Sequence, residues 1–384
     1  MIGSIACSFV SLSEFTKSPP MDWLSRLLEM MPVRGHLDLR CFYGAPWRIA
    51  QARMAEGEIP YHVVLGGSAV LEDAAGGPPL RLDAGDILLL TDGGAHILHD
   101  GSGAPAAPAR ERAALNLTIS ENAGTGDRLD MLCGRFVLTA RHDRLLRDYL
   151  PRRLIVRAAG KASSAAPQSS GAQLASLMAL MRTESSIESL GGHAMLNAFS
   201  AALFALTLRH ASQSDEAPAG LLALAGHPRL APALAAMFRE PARSWTLPAL
   251  ARLSNMSRAT FARHFQEKLG RSASDLLTDI RMTLAANELK KPRASTAAVA
   301  TAAGYQSEAA FQRAFKQRMR MTPAQCLDTL PENQLRSFSP ATPPILPDRA
   351  CAHRRGLRAE GRYVCPQAGI WQHSSSRAGD GRGS

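Results

Sequence analysis

Two stretches of this 384-residue chain, fifty residues apart, are built to present a guanidinium on a fixed helix face. Ser257-Arg-Ala-Thr-Phe-Ala-Arg-His-Phe-Gln-Glu-Lys-Leu is answered by Ser307-Glu-Ala-Ala-Phe-Gln-Arg-Ala-Phe-Lys-Gln-Arg-Met. Both open on Ser and place Phe at +4, Arg at +6 and Phe at +8. A serine hydroxyl accepts a hydrogen bond from an unpaired N–H of a first helical turn, so each Ser reads as an N-cap. Phe261/Phe265 and Phe311/Phe315 are i,i+4 pairs that share a face and turn it inward. Arg263 and Arg313 then lie near the opposite face, where a guanidinium can pair with guanine O6 and N7. Each stretch follows a short helix and a tight turn, Thr246–Met256 and Thr296–Gln306, which completes a helix-turn-helix pattern. Two such units in register point to nucleic acid.

Other residue types capable of chemistry are scattered. Cys41 and Cys133 are a candidate redox pair, since thiolates near Arg40 and Arg135 would be activated; a buried structural cysteine is the competing reading. His62 and His96 are the residue types of a metal site, yet each also borders a strand or turn where it can satisfy backbone groups. The His-x-His followed by Glu that would complete such a site is missing, so no cofactor and no enzymatic activity are expected. Cys351, His353, Cys365 and His373 match no common zinc spacing.

The elements that must position these residues follow from composition. Hydrophobic residues make up 46% and charged residues 20% of the chain, enough for real cores in two or three domains. No apolar run reaches about 18 residues, so no membrane span is expected. The opening segment lacks the basic start of a secretory signal, and six irregular cysteines do not form a disulfide framework. A cytoplasmic protein is the expectation. Residues 226–330 carry 16 Lys/Arg against 7 Asp/Glu, a net of +9, whereas 1–225 carry 20 against 22. The positive charge sits where a polyanion-binding module requires it. Lys290, Lys291 and Arg293 are candidate phosphate contacts.

Along the chain, 1–20 reads as disordered. Trp23, Leu24, Leu27, Leu28 and Met31 recur at helical spacing. Short strand-like runs, among them Tyr61–Leu65, Ala69–Leu71, Asp86–Leu90 and Ala114–Ile119, alternate with Gly/Pro turns and predict an antiparallel barrel or jelly roll over 21–157. Residues 158–172 read as a small-residue linker. Leu174–Arg209 reads as helix, its apolar stretch Ala194–Leu208 serving core or dimer interface, and 211–219 as a break. Residues 221–330 read as nearly continuous helix. The helix Ser274–Lys290 joins the two units (246–267 and 296–318) at the fixed separation that successive major grooves demand. The tail, 331–384, reads as disordered.

On these motifs, 226–330 resembles the DNA-binding domain of the AraC/XylS family of bacterial transcription regulators. The resemblance rests on Leu250-Ala251, Ser257-x3-Phe261-x3-Phe265, Gly270, Val299-Ala300, Gly304-Tyr305, Ser307-x3-Phe311-x3-Phe315 and Thr322-Pro323-Ala324. It implies base-reading faces at Arg258, Ala259, Ala262 and Arg263 and at Glu308, Ala309, Gln312 and Arg313. Ser257, Ser307 and Lys316 join them as DNA-contacting residues. Arg320 departs from the family's usual Gly, which predicts a strained helix exit. The region 21–157, with 173–212 as a helical dimerisation segment, looks like the cupin-type sensor that one branch carries, through MDWLSRLL, Arg40-Cys41, Tyr61-His62-Val63-Val64, Leu82-x2-Gly85-Asp86, Gly94-Ala95-His96 and Cys133-Gly134. The implied fold is α+β multidomain: a cupin-like β-barrel, a helical region and an all-α double helix-turn-helix domain. The implied function is a sequence-specific regulator, an activator, answering a small ligand or a redox signal. Double-stranded DNA, RNA polymerase, the effector and a second copy of the chain are the expected partners. A cupin metalloenzyme carrying a DNA-targeting module, or a non-specific nucleoid-like binder, are the alternatives.

Overall fold

The computed structural model describes residues 21–73, 76–138, 144–157, 169–214 and 217–328. The expectations for 1–20, for most of the 158–172 linker and for the 331–384 tail with its Cys351, His353, Cys365 and His373 lie outside these residues.

Helix α1 (Trp23–Met30) begins at Asp22, whose carboxylate accepts from the N–H groups of Leu24 and Ser25. The strands β1 (Val33–Gly44), β2 (Arg48–Gln51), β3 (Glu58–Gly66), β4 (Ser68–Asp73), β5 (Leu80–Asp83), β6 (Asp86–Leu90), β7 (His96–His99), β8 (Ala109–Ala113), β9 (Thr118–Asn122) and β10 (Arg128–Leu138) follow. Then come α2 (Arg144–Tyr149), β11 (Arg153–Arg157), α3 (Ser170–Glu184) and α4 (Gly192–Gln213). The strands form a seven-stranded sheet, β11-β6-β3-β10-β1-β9-β8, and a four-stranded sheet, β2-β7-β4-β5. The two sheets lie face to face in the expected jelly-roll manner without closing into one barrel. Two details depart from the strand expectations. Strand β1 pairs with β9 in parallel. Ala114–Leu117, expected as strand, makes the turn between β8 and β9, leaving Leu115 exposed.

The large sheet is covered on both faces, and the two-residue alternation of a strand decides which side chain goes where. From β3, β6 and β10, residues such as Tyr61, Val63, Ile87, Leu89, Leu132 and Phe136 enter a core shared with the helices. Val64, Leu88, Leu90, Leu129 and Met131 face the small sheet and pack with Leu71, Leu82 and Leu98. In β1 a register shift between Leu37 and Leu39 switches faces, so that Leu37 joins the first core and Cys41 and Tyr43 the second.

The helix expected over 174–209 is two helices, α3 and α4, interrupted at Ser185–Gly191, where Gly191 adopts φ 77°. The second runs on to Gln213, into the expected break. Its apolar side is core: Leu196, Ser200, Leu203, Phe204, Thr207 and Leu208 are buried over β1 and β10.

The remaining helices are α5 (Leu221–Gly226), α6 (Ala231–Arg239), α7 (Leu247–Leu253), α8 (Arg258–Leu269), α9 (Ala273–Leu289), α10 (Thr296–Ala302), α11 (Glu308–Met319) and α12 (Pro323–Asp328). Helix α9 extends through 17 residues, about 25 Å at 1.5 Å per residue. Its N-terminal half (Leu276, Leu277, Ile280) packs with α7 and α8 in the first core, and its C-terminal half (Met282, Ala286, Leu289) with α10 and α11 in a separate one. It holds the two units as a rigid spacer. The sensor half and the helical half are continuous in the first core, which runs from β3 through α1 and α6 to α8.

Candidate DNA interface and thiol cluster

The paired motifs adopt one conformation. Ser257 Oγ accepts from Thr260 N–H at 3.1 Å and Ser307 Oγ from Ala310 N–H at 3.3 Å. Phe261 and Phe265 have ring centroids 5.3 Å apart, Phe311 and Phe315 5.5 Å, and all four rings are buried. With the Phe faces turned inward, Arg258, Ala259, Ala262 and Arg263 stand exposed on α8, and Glu308, Ala309, Gln312, Arg313 and Lys316 on α11. Burial along 257–265 repeats residue for residue along 307–315. Among the described residues Arg263 meets Glu267 in an exposed pair at 3.8 Å, which solvent screens, so its guanidinium is available to a ligand. Gln312 donates its amide to Glu308 at 2.9 Å, which makes the second face mixed in charge. Of the expected phosphate contacts, Lys291 pairs with Glu288 at 2.7 Å.

Inside the sandwich the structure brings together the other four candidates. Cys41 Sγ lies 3.9 Å from Cys133 Sγ, a diagonal contact, because Leu39 faces Cys133 and Cys41 faces Met131 in the ladder. His62 Nδ1 is 3.2 Å from Cys133 Sγ, and His62 Nε2 is 2.8 Å from His96 Nε2. His96 Nδ1 donates to the Gly94 carbonyl at 3.0 Å. Cys41, His62 and His96 are buried and Cys133 is half-buried. The hydrogen bond with Cys41, followed by burial, pushes the Cys133 thiol well above its ordinary value. Burial, helped by His96, pushes His62 well below its own. The Cys133 thiol and the His62 ring are therefore neutral at rest. Among the described residues no group of three or more His, Cys, Asp or Glu side chains is arranged to hold a metal ion.

The expectation that Arg40 and Arg135 activate these thiols is corrected. Arg40, alternate to Cys41 on β1, points to the opposite face and binds Asp130 at 2.9 Å. Its Nη1 also donates to Arg182 O and to the hydroxyls of Ser185 and Ser186 at the end of α3. Arg135 pairs with Asp38 at 2.7 Å and lies 3.3 Å from Glu58. Neither charge is directed at a thiol. Gly134, beside Cys133, has a packing reason: a Cβ there would fall 2.6 Å from the Tyr61 ring. Tyr61 Oη in turn meets Ser200 Oγ of α4 at 2.7 Å.

Sequence comparison agrees with this division. A Cupin family model matches residues 22–213 and a Helix-turn-helix domain model residues 250–329. An AraC-like transcription regulator of Streptomyces lividans is 30% identical over 305 residues, 79% of this chain and 97% of its own length. The chain belongs to the AraC-like transcription regulators. This regulator is also 29% identical over 306 residues to an HTH-type transcriptional regulator of Haemophilus influenzae, covering 79% of this chain and 98% of that one. The RCS-specific HTH-type transcriptional activator RclR of Escherichia coli is 26% identical over 309 residues, covering 79% and 96%. The regulator thus combines an N-terminal cupin-type sensing domain with a C-terminal DNA-binding domain.

Sequence reading missed one link between them. Tyr149 of α2 donates its buried hydroxyl to Asp279 of α9, which lies 3.4 Å from Arg318 of α11. Arg271 meets Asp148 at 3.2 Å, and Asn287 donates to Met30 O. Each partner is distant in sequence, so no local pattern could have revealed these ties. Among the described residues no helix is long and apolar enough to cross a membrane.

Proposed function

We propose that the regulator reads two successive major grooves with α8 and α11 and that oxidation of Cys41 and Cys133 switches it, as an activator that engages RNA polymerase in the cytoplasm. The observation that carries the redox reading is the 3.9 Å approach of the two sulfurs inside the sandwich. A disulfide needs about 2.0 Å, so forming one draws β1 and β10 together along the diagonal. Arg40 immediately precedes Cys41 on the same strand and grips the end of α3, while Tyr61 and Ser200 tie the neighbouring strand β3 to α4. Helix α4 leads to Gly220, whose N–H donates to Lys268 O of α8. A shift between the strands thus has a packed route to the first recognition helix.

The interior supports thiol chemistry over a bound ligand, because Tyr43, Trp47, Val64, Leu71, Leu88, Leu98 and Met131 fill it. The His62–His96 hydrogen bond supports a sensor over a metalloenzyme. A second copy has a candidate surface in Leu180, Leu190 and Met195, exposed on α3, α4 and the turn between them. The decisive experiment is DNA binding and transcription in vitro before and after oxidation, with wild type and Cys41→Ser. We expect Cys41→Ser to bind DNA normally when reduced and to lose the oxidant response. An unchanged response would return Cys41 to a packing role. A footprint without two major-groove contacts about one turn apart would remove the reading of α8 and α11.

A further inference from the structure

We propose that Cys133 is the thiol that reacts first and that His62, its tautomer fixed by His96, takes the thiol proton. This inference rests on the redox reading of the cysteine pair and assigns the chemistry within it.

The assignment follows from a chain of donors and acceptors that starts at a group with no choice. The Gly94 carbonyl only accepts, so His96 Nδ1 carries the proton in the 3.0 Å bond. In a neutral imidazole the other nitrogen is then an acceptor, so His96 Nε2 receives the proton of His62 Nε2 at 2.8 Å. His62 Nδ1 is thereby left with a lone pair, directed at Cys133 Sγ 3.2 Å away. Thiol, base and orienting group form the arrangement by which a weak nucleophile is activated. Among the described residues Cys41 meets no such base: its neighbours are Cys133 and Tyr43, whose hydroxyl bonds Ser120 at 2.7 Å. The titratable groups facing the cluster are Cys41 and Tyr43 from β1, His62 from β3, His96 from β7 and, more remotely, Asp38 through its field on Cys133. Because the hydrogen bond with Cys41 and burial keep the Cys133 thiol neutral at rest, and burial does the same for His62, the thiolate forms only as it reacts.

With hydrogen peroxide the step balances as follows. Cys133 Sγ attacks one peroxide oxygen, an S–O bond forms and the O–O bond breaks, while the thiol proton moves to His62 Nδ1. His62, with its charge accepted by His96 Nε2, returns that proton to the departing hydroxide, which leaves as water. Sulfur is oxidised to a sulfenic acid and peroxide is reduced. Cys41 Sγ then attacks Cys133 Sγ, the S–S bond forms, the S–O bond breaks, and the leaving hydroxide departs as water with the Cys41 proton. Two thiols and one peroxide give one disulfide and two waters.

The test treats reduced, full-length protein with hydrogen peroxide between pH 6 and 9 and follows the Cys41–Cys133 disulfide by mass spectrometry. General-base assistance typically contributes 10²–10⁴-fold, so His62→Gln should slow disulfide formation about 100-fold near pH 7. Its rate should then climb about tenfold per pH unit as hydroxide replaces the lost base, with a shallower rise in wild type. His96→Leu should slow the reaction similarly, and His96→Gln, whose amide oxygen can accept from His62 Nε2, should restore most of it. That second comparison serves if His62→Gln does not fold. In Cys41→Ser a dimedone label should fall on Cys133. All reduced variants should bind DNA as wild type does. Wild-type rates and pH dependence in His62→Gln would overturn the relay while leaving the thiol pair intact. Failure of wild type to form the disulfide would overturn the pair itself. Stoichiometric metal in the purified protein, protecting both thiols, would overturn the relay in favour of a metal site.

Discussion

The two helix-turn-helix units share sequence, capping and burial pattern, yet they are anchored differently. The first, α7 and α8, has no core of its own: Leu250, Phe261 and Phe265 belong to the core that also contains Tyr61 and Phe136 of the sensor. The second, α10 and α11, has a private core of Val299, Phe311, Phe315 and Met319 closed by the far half of α9. Its ties to the sensor are polar, through Arg318, Asp279 and Tyr149. Identical local design does not make the units equivalent. One is welded to the sensor by apolar contact and the other is held by directional bonds, so a signal reaches them by different physics.

The largest effect that tests this contrast comes from the Phe pairs. Removing a buried phenyl ring costs about 3–5 kcal/mol through lost transfer energy and the cavity left behind. Phe261→Ala should lower the stability of sensor and first unit together. Phe311→Ala should loosen the second unit and leave the rest. Trp23, Trp47 and Trp245 lie in the sensor and first unit, so denaturant titration by tryptophan emission should shift for Phe261→Ala and barely for Phe311→Ala. Hydrogen exchange should report the loss in α10 and α11. Equal shifts in emission would show that the private core is not private.

On the DNA side, Arg263→Ala and Arg313→Ala should each weaken binding to the target much more than to scrambled DNA. Losing one bidentate guanine contact costs about 1–3 kcal/mol of discrimination. The two faces differ in charge, Arg258 standing where the second unit has Glu308. Lys291→Ala, in contrast, should lower affinity on all sequences alike and reduce the salt slope by about one unit. Binding series at several salt concentrations separate these outcomes. Equal loss on both DNAs for Arg263→Ala would make that arginine a phosphate anchor.

The DNA-reading faces were legible because a helix face is written in local spacing: Ser, Phe and Arg within nine residues fix cap, buried side and exposed side together. The sensor was legible only as a succession of strands. Pairing of Cys41 with Cys133 depends on the β1–β10 register, and that register contains a shift next to Asp38 which no alternation pattern announces. Arg40 reads as a neighbour of Cys41 in sequence, but strand alternation sends it to the opposite face. The split between α3 and α4 was hidden because Ser185–Leu190 lacks a proline and only the Gly191-Gly192 pair marks it. Closure into a barrel or separation into two sheets is decided by long-range pairing, which composition does not encode.

A smaller effect separates the exits of the recognition helices. Gly270 ends α8 at φ 80° and Arg320 ends α11 at φ 60°, both left-handed. For a side chain with a Cβ this region costs about 1–2 kcal/mol, which glycine avoids. Arg320→Gly should therefore stabilise the second unit by about 1 kcal/mol, and Gly270→Ala should destabilise the first by about as much, since nothing within 4 Å would obstruct the new Cβ. Thermal melts and exchange rates of α9 and α11 read both. A neutral Arg320→Gly would mean the guanidinium compensates the strain.

The smallest effect concerns the polar hold on the second unit and its pH dependence. Asp275 sits in the first turn of α9, where Ser272 Oγ donates to its carboxylate at 2.6 Å and Arg318 of α11 also binds it. These bonds, Ser272 first, hold Asp275 below its ordinary value of 3.8. A carboxylate whose native value is depressed contributes stability fully above the unfolded value and loses it as pH falls through the native one. Its stabilisation is thus complete at pH 7 and disappears only below about pH 4, in line with the usual carboxylate range. The pair is partly exposed, so its worth is about 0.5 kcal/mol. In the first unit the corresponding residue, Lys268, instead accepts from Gly220 N–H through its backbone carbonyl, a contact without a titrating partner. Asp275→Asn should therefore lower the stability of α9 and α11 slightly at pH 7, and the gap from wild type should close between pH 4 and pH 3. Exchange rates in α8 should show no such pH-dependent gap. A gap that persists at pH 3 would mean that Asp275 acts through shape rather than charge, and the second unit would then be held as insensitively to pH as the first.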